Sequence, residues 1–212
     1  MPNDYWFEVW ERETQGFQQA EVNAYLKQYL SEIIKTPGHV LVPLCGKSLD
    51  ILFLRNQGHE VLGVDLVESP LISFFEENQI LYKKESHQYL SEDAKIKLHA
   101  GDFLKFNPGD HQNFDLIYDR ASLIALEKPL RLQYLEVIKS VLAKGAKLFL
   151  LTLERDTHRE GPPWDITKKD IQNYFPNENY KCNLITEERK VLKREDGPEM
   201  SFTNRLHFIE EA

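Results

Sequence analysis

The stretch 39–66 constrains the fold more than any other, because its two apolar runs and the helical segment between them fit a strand, a helix and a second, parallel strand. His39-Val40-Leu41-Val42-Pro43-Leu44-Cys45 is a short apolar run rich in β-branched residues, bounded by Gly38 and Gly46, which is the pattern of a buried strand. Gly46-Lys47-Ser48 reads as a turn. Ser48 is placed to cap a helix with Ile51, Leu52 and Leu54 on one face, and Gly58-His59 ends it. Residues 60–66 form the second strand, with Asp65 near its carboxyl end, 19 residues beyond Gly46. Parallel strands bring the turn and Asp65 to the same sheet edge. There the turn amides and the helix N-terminus can approach a polar ligand, and the carboxylate can accept hydrogen bonds from ribose hydroxyls. The turn holds one glycine, not the three of the dinucleotide fingerprint. Spacing alone therefore leaves both a nucleoside cofactor and a purely structural βαβ unit open.

The rest of the chain repeats this alternation. Asp4 to Arg12 carries Tyr5, Trp6, Phe7 and Trp10 in a polar context; Trp10 either packs or folds over the open sheet edge to exclude water from a ligand. Apolar residues from Phe17 to Ile34 fall on one helical face, so the spacing predicts a helix over 17–35, stopped by Thr36-Pro37-Gly38. Ser69-Pro70 starts a helix that ends at Asn78, and 80–95 reads as a polar surface excursion with one short helix. Strands follow at 96–100, delivering Gly101 and Asp102 to the edge that carries Asp65, and at 114–118, ending in Asp119-Arg120. Asp102 either bonds an adenine amino group or caps a turn. Asp119 and Arg120 are charged groups next to an apolar run, so they need partners: each other, or a ligand.

A helix from Pro129 to Gly145 precedes an apolar fifth strand at 146–153. A charged loop then ends in Gly161-Pro162-Pro163-Trp164, a stiff wall closed by a ring. Thr167 caps a helix ending at Pro176. Residues 181–191 and 200–209 are the last two strands, with Gly197-Pro198 in their connection. The expectation is an α/β three-layer sandwich with a seven-strand, mostly parallel sheet whose last strand is antiparallel.

At 212 residues with 42% hydrophobic content, the chain suffices for one core, and 1–212 reads as one domain with 1–37 as an N-terminal cap segment and helix. A net charge of −8 with dispersed Lys and Arg excludes a nucleic-acid surface and favours a small-molecule ligand. No segment approaches the ~20 apolar residues of a membrane span, so a cytoplasmic protein, acting as a monomer without a membrane partner, is expected. Cys45 and Cys182 are far apart and the 7 histidines lack a ligand spacing, so no disulfide framework and no metal site is expected. Cys45 reads as a small core residue.

Val42-Pro43-Leu44-Cys45-Gly46-Lys47-Ser48, Gly58-His59-Glu60-Val61-Leu62-Gly63-Val64-Asp65, Tyr118-Asp119-Arg120-Ala121 and Gly161-Pro162-Pro163 resemble, in order and spacing, the thiopurine S-methyltransferase family. Gly16-Phe17, an N-terminal tryptophan and Glu187-Glu188-Arg189 extend the resemblance over nearly the whole chain. It implies the Rossmann-like fold of the S-adenosylmethionine-dependent methyltransferases. By position it implies that Trp10, Leu44, Asp65 and Arg120 contact S-adenosylmethionine, with Gly101 and Asp102 beside the adenine. Phe17, Arg120, Arg189 and Trp164 would border the acceptor. Asp119 and Arg120 are the catalytic candidates, Arg120 or Arg189 favouring a thiolate and Asp119 accepting a proton or orienting Arg120.

The chain departs from the family where Asp65 replaces a glutamate, and where Arg155 and Trp164 stand in place of a tyrosine and a phenylalanine. The implied activity is methyl transfer to the sulfur of a small aromatic or heterocyclic thiol, leaving S-adenosylhomocysteine. The alternatives are halide, thiocyanate, or tellurium and selenium oxyanion acceptors, a nicotinamide-dependent oxidoreductase, and a protein that binds the cofactor without turnover.

Overall fold

Apolar residues in the strand runs are buried on both strand faces, as a sheet flanked by helices requires. A computed structural model describes residues 4–12, 15–110, 113–157, 159–192 and 199–212. Gly197-Pro198 falls outside these. The chain forms two compact units, Met1–Tyr118 and Asp119–Ala212.

The first unit opens with helices α1 (Asp4–Trp10) and α2 (Ala24–Ile33). It continues with β1 (His39–Pro43), α3 (Asp50–Asn56), β2 (Glu60–Asp65), α4 (Glu68–Glu77), the hairpin β3 (Tyr82–Glu85) and β4 (Gln88–Ser91), and β5 (Ile96–Ala100). β6 (Leu116–Arg120) runs out of this unit, and its last two residues open the second. The strand order is β3-β4-β5-β2-β1-β6. β1 pairs in parallel with β2 (His39 opposite Glu60) and with β6 (Val40 opposite Leu116), and β2 pairs in parallel with β5. Val40, Leu41, Val42, Val61, Val64, Leu98, Leu116 and Ile117 are buried in these strands. Each such side chain contributes about 1.5–3 kcal/mol on leaving water. Gly63 in β2 must be glycine, since a Cβ there would lie 2.7 Å from both the Cys45 Sγ and a Leu98 methyl.

The second unit contains α5 (Lys128–Leu142), β7 (Lys147–Arg155), α6 (Lys168–Tyr174) and the long hairpin β8 (Tyr180–Leu192) and β9 (Met200–Glu211). β9 lies between β7 and β8 and is antiparallel to both. Pro129 enters α5 in its first turn, and Thr167 with Asp170 forms the capping box of α6.

Three expectations are corrected. The described residues hold nine strands, not seven. One extra pair is the β3–β4 hairpin, which replaces the expected polar excursion with one helix; only Tyr89 and Ser91 of its residues are buried, so the period-2 signal was faint. The helix expected over 17–35 begins at Ala24, because the Asn23 side chain accepts from the Tyr25 amide at 3.0 Å and stops the helix from reaching back to Phe17. α4 begins at Glu68, ahead of the Ser69-Pro70 start.

Candidate active site

In the first unit, the turn leaving β1 bends through two left-handed residues, Leu44 at φ 45° and Gly46 at φ 50°. Holding a leucine there costs about 1–3 kcal/mol and persists only where its surroundings enforce it. The bend turns the Gly46 amide toward the end of β2, where it donates to Asp65 Oδ2 at 2.8 Å; the Val67 amide donates to Oδ1 at 3.0 Å. Burial pushes the Asp65 carboxyl up to about 6, while the amides of Val67 and Gly46 pull the other way. The Leu66 amide also bonds this carboxylate, and since a carboxylate offers about four lone-pair sites, room remains for a further donor such as a ribose hydroxyl.

The Trp10 indole, at the end of α1, covers the same turn; a Cβ on Gly46 would lie 2.6 Å from Trp10 Cζ2. Phe17 meets the Trp10 ring edge-on, with centroids 5.3 Å apart. Gln18 Nε2 donates to the Lys47 carbonyl at 3.2 Å, which ties the segment after Phe17 to the turn. On the far side of Asp65, the Gly101 amide donates to the Asp65 carbonyl at 2.8 Å. Asp102 Oδ1 accepts from the Leu104 amide at 3.0 Å and Oδ2 faces Lys105 at 3.3 Å, so this side chain caps the short 103–105 turn. Trp10, Phe17, Leu44 and Asp65, singled out from the sequence, thus gather around one strand-end turn, and Gly101, followed by Asp102, is tied to the backbone of Asp65.

In the second unit, Asp119 is buried and its carboxylate is engaged on both oxygens. Oδ1 accepts from the amides of Ser122 and Leu123, each at 3.2 Å, and Oδ2 accepts from the Tyr134 hydroxyl at 2.8 Å. Ala121, at φ 68°, makes the bend that turns those amides back. Burial raises the Asp119 carboxyl to about 6, with the Tyr134 hydroxyl the largest opposing influence. Arg120 is half-buried and ends β6. Tyr134 carried no signal beyond its place on the apolar face of a helix.

Arg189 is exposed on β8; its Nη2 donates to Asp156 Oδ2 at 2.5 Å, and the Ser201 hydroxyl donates to the same oxygen at 2.6 Å. Arg155, at the end of β7, braces the loop behind it. Its Nε donates to Asp165 Oδ1 at 2.9 Å and its Nη2 donates to the carbonyls of Arg159 and Pro163 at 2.9 and 2.8 Å. The Trp164 amide donates to the Ile124 carbonyl at 2.6 Å, and the indole lies against Gly161. Trp164 Nε1 is buried with no hydrogen-bond partner among the described residues.

Among the described residues, no helix is long and apolar enough to cross a membrane, and no group of three or more His, Cys, Asp or Glu is placed to hold a metal ion.

Residues 1–209 match the family described as thiopurine S-methyltransferase (TPMT). The thiopurine S-methyltransferase of Pseudomonas fluorescens Pf-5 is 38% identical over 81% of this chain and 79% of its own length. That of Psychrobacter cryohalolentis is 33% identical over 99% of both chains. A SAM-dependent methyltransferase structure from Anabaena variabilis superposes with a TM-score of 0.67 at 18% identity, covering 99% of this chain and 93% of that one. This likeness gives the chain the α/β, Rossmann-like methyltransferase fold.

Proposed function

The chain belongs to the thiopurine S-methyltransferase family, S-adenosylmethionine-dependent enzymes, and on that premise we propose that it methylates the sulfur of a small aromatic or heterocyclic thiol. One observation carries the cofactor assignment: the Trp10 ring and the Asp65 carboxylate both lie against Gly46, one on its α-carbon and one on its amide. In this reading, Asp65 accepts from the ribose hydroxyls with its remaining lone pairs. The backbone of Leu44 lines the turn, Gly101 and Asp102 flank the adenine, and Trp10 keeps water out. The absence of a side chain at Gly46 supports the fit, because backbone can approach a ligand closely there.

S-adenosylmethionine supplies an electrophilic methyl group on a sulfonium. The protein's task is then to align and desolvate the acceptor, and proximity alone supplies about 7–11 kcal/mol in well-oriented systems. Arg120 and Arg189 are assigned to favour the ionised thiol, since a neighbouring guanidinium lowers a thiol's pKa. Asp119 is assigned to orient Arg120 rather than to take the acceptor's proton; its oxygens being bonded to Tyr134 and two amides counts against the proton-accepting role. Phe17 and Trp164 are each assigned to border the acceptor, as the family resemblance implies. Residues 1–212 act as one domain, capped by 1–37, as a monomer in the cytoplasm; the family match running through both compact units supports the single domain.

Calorimetry with S-adenosylhomocysteine and NADH side by side, followed by methyl transfer to a panel of thiols, tests this reading. Binding of the first ligand only, and turnover of at least one aromatic thiol, is expected. Affinity for NADH instead, or turnover of halide but no thiol, would overturn it.

A further inference from the structure

Asp50 is a buried carboxylate one turn beyond the glycine turn, and nothing above uses it. Its Oδ1 accepts from the backbone amide of Asn23 at 2.7 Å, and its Oδ2 accepts from the Tyr118 hydroxyl at 2.9 Å. Its own amide donates to Ser48 Oγ at 3.3 Å. One side chain therefore joins the start of α3, the strand β6 and the residue that caps α2. Burying a carboxyl group is unfavourable unless hydrogen bonds replace its water. The Asn23 bond is the one that fixes the chain's path. Upstream of it the same segment touches the turn again, through Gln18 on the Lys47 carbonyl and through Trp10 on Gly46.

We propose that Asp50 is a positioning residue: by holding the Asn23 amide it keeps Gln18, Phe17 and Trp10 seated on the turn, and so sets how well the cofactor is covered. The proposal rests on the reading that Trp10 covers the cofactor. It makes Asp50 the inner anchor of the N-terminal strap, the outer contact being the indole itself.

The Asn23 amide can be removed selectively, because Asn23 has φ −56°, a value that proline adopts without strain. Asn23→Ala deletes the α2 cap but keeps the amide; Asn23→Pro deletes both, so the difference between the two isolates the bond to Asp50. S-adenosylhomocysteine affinity is measured by calorimetry for these two variants, for Trp10→Ala, and for Trp10→Ala combined with Asn23→Pro. Asn23→Pro is expected to bind about tenfold more weakly than Asn23→Ala, the size of one lost hydrogen bond to a buried acceptor. In the Trp10→Ala background the proline should add less than about twofold, because the contact it supports is already gone.

Equal affinity of the proline and alanine variants beside a weakened Trp10→Ala overturns the role of Asp50 and leaves the cover reading standing. A proline effect that persists in full without Trp10 also overturns it, since the bond then acts on the fold at large. Unchanged affinity in Trp10→Ala overturns the cover reading, and the anchor with it. Should the proline variant not fold, hydrogen exchange of Asp50→Ala, which removes the acceptor, against the unsubstituted protein decides: faster exchange in peptides spanning 15–23, with β1 unchanged, is expected, and unchanged exchange there overturns the proposal.

Discussion

The Trp10 indole occupies the space that a side chain on Gly46 would need: an ideal Cβ at residue 46 would lie 2.6 Å from Cζ2 and 2.9 Å from Cη2 of the ring. Gly46 also has φ 50°, so two separate constraints keep it glycine. Gly46→Ala should displace the indole and strain the turn, lowering stability by about 1–3 kcal/mol. For a chain of this length that is a melting-temperature drop of roughly 2–4 °C per kcal/mol. S-adenosylhomocysteine affinity should fall at the same time, by about tenfold or more. Thermal melts and calorimetry on one preparation check this, and a variant that melts lower but binds normally would separate Trp10 from the cofactor.

Asp65 makes a pH prediction with two opposite slopes. Its carboxyl is raised to about 6 in the folded chain from 3.8, so the stability associated with this group is fully present below 3.8 and is lost as pH rises through about 6. Asp119, raised likewise to about 6, adds in the same direction. For these groups the ligand-free protein is therefore more stable at pH 5 than at pH 7. Ribose hydroxyls donate to the ionised form, so S-adenosylhomocysteine affinity should fall as pH drops below about 6, approaching tenfold per unit. Asp65→Asn should flatten that dependence. A wild-type affinity constant between pH 5 and 7.5 would remove Asp65 from the ribose site.

The Tyr134 hydroxyl is the largest of the bonds that hold down the Asp119 carboxyl, and both residues are buried. Tyr134→Phe leaves a buried carboxylate oxygen short of a donor, at a cost of about 1–3 kcal/mol. Losing that donor raises the Asp119 carboxyl further, so the cost should be greater at pH 8, where Asp119 is ionised, than at pH 5, where it is protonated. Melting curves at the two pH values measure the difference. An equal loss at both would mean that the bond does not discriminate between the two charge states of Asp119.

These relationships divide by how they could be read beforehand. Strand-end positions such as Asp65 and Asp119 follow from alternating apolar runs, because a parallel sheet dictates which ends share an edge. Leu44 in the left-handed region could not be foreseen, since that conformation is unfavourable for leucine and is imposed by its neighbours. Asp50 and Tyr118 meet across 68 positions of sequence, and no local pattern announces such a pair. Tyr134 and Arg155 look like a core helix residue and a surface charge until their partners are known. The β3–β4 hairpin carries little sequence signal, because Lys83, Lys84 and Glu85 of β3 are all exposed and no alternation of burial marks that strand.

The two arginines assigned to the acceptor differ in their surroundings, and this allows them to be separated. Arg189 has a side chain 66% exposed and bonded to Asp156, whereas Arg120 ends β6 beside the buried Asp119. Arg189→Ala should change stability by no more than about 0.5 kcal/mol, as for most exposed substitutions. It should leave S-adenosylhomocysteine affinity within about twofold and lower turnover of an anionic thiol several-fold, because a cation near the sulfur is lost. Arg120→Ala should weaken cofactor binding and turnover together. Removal of either cation should also move the acidic limb of the pH–rate profile upward, since the thiol then ionises at higher pH. Asp156→Ala provides a control within the same pair: it frees Arg189 from its carboxylate and should lower that limb if the guanidinium acts on the acceptor. Should Arg189→Ala reduce cofactor binding as much as Arg120→Ala does, or leave turnover of every thiol unchanged, Arg189 has no part in the acceptor site.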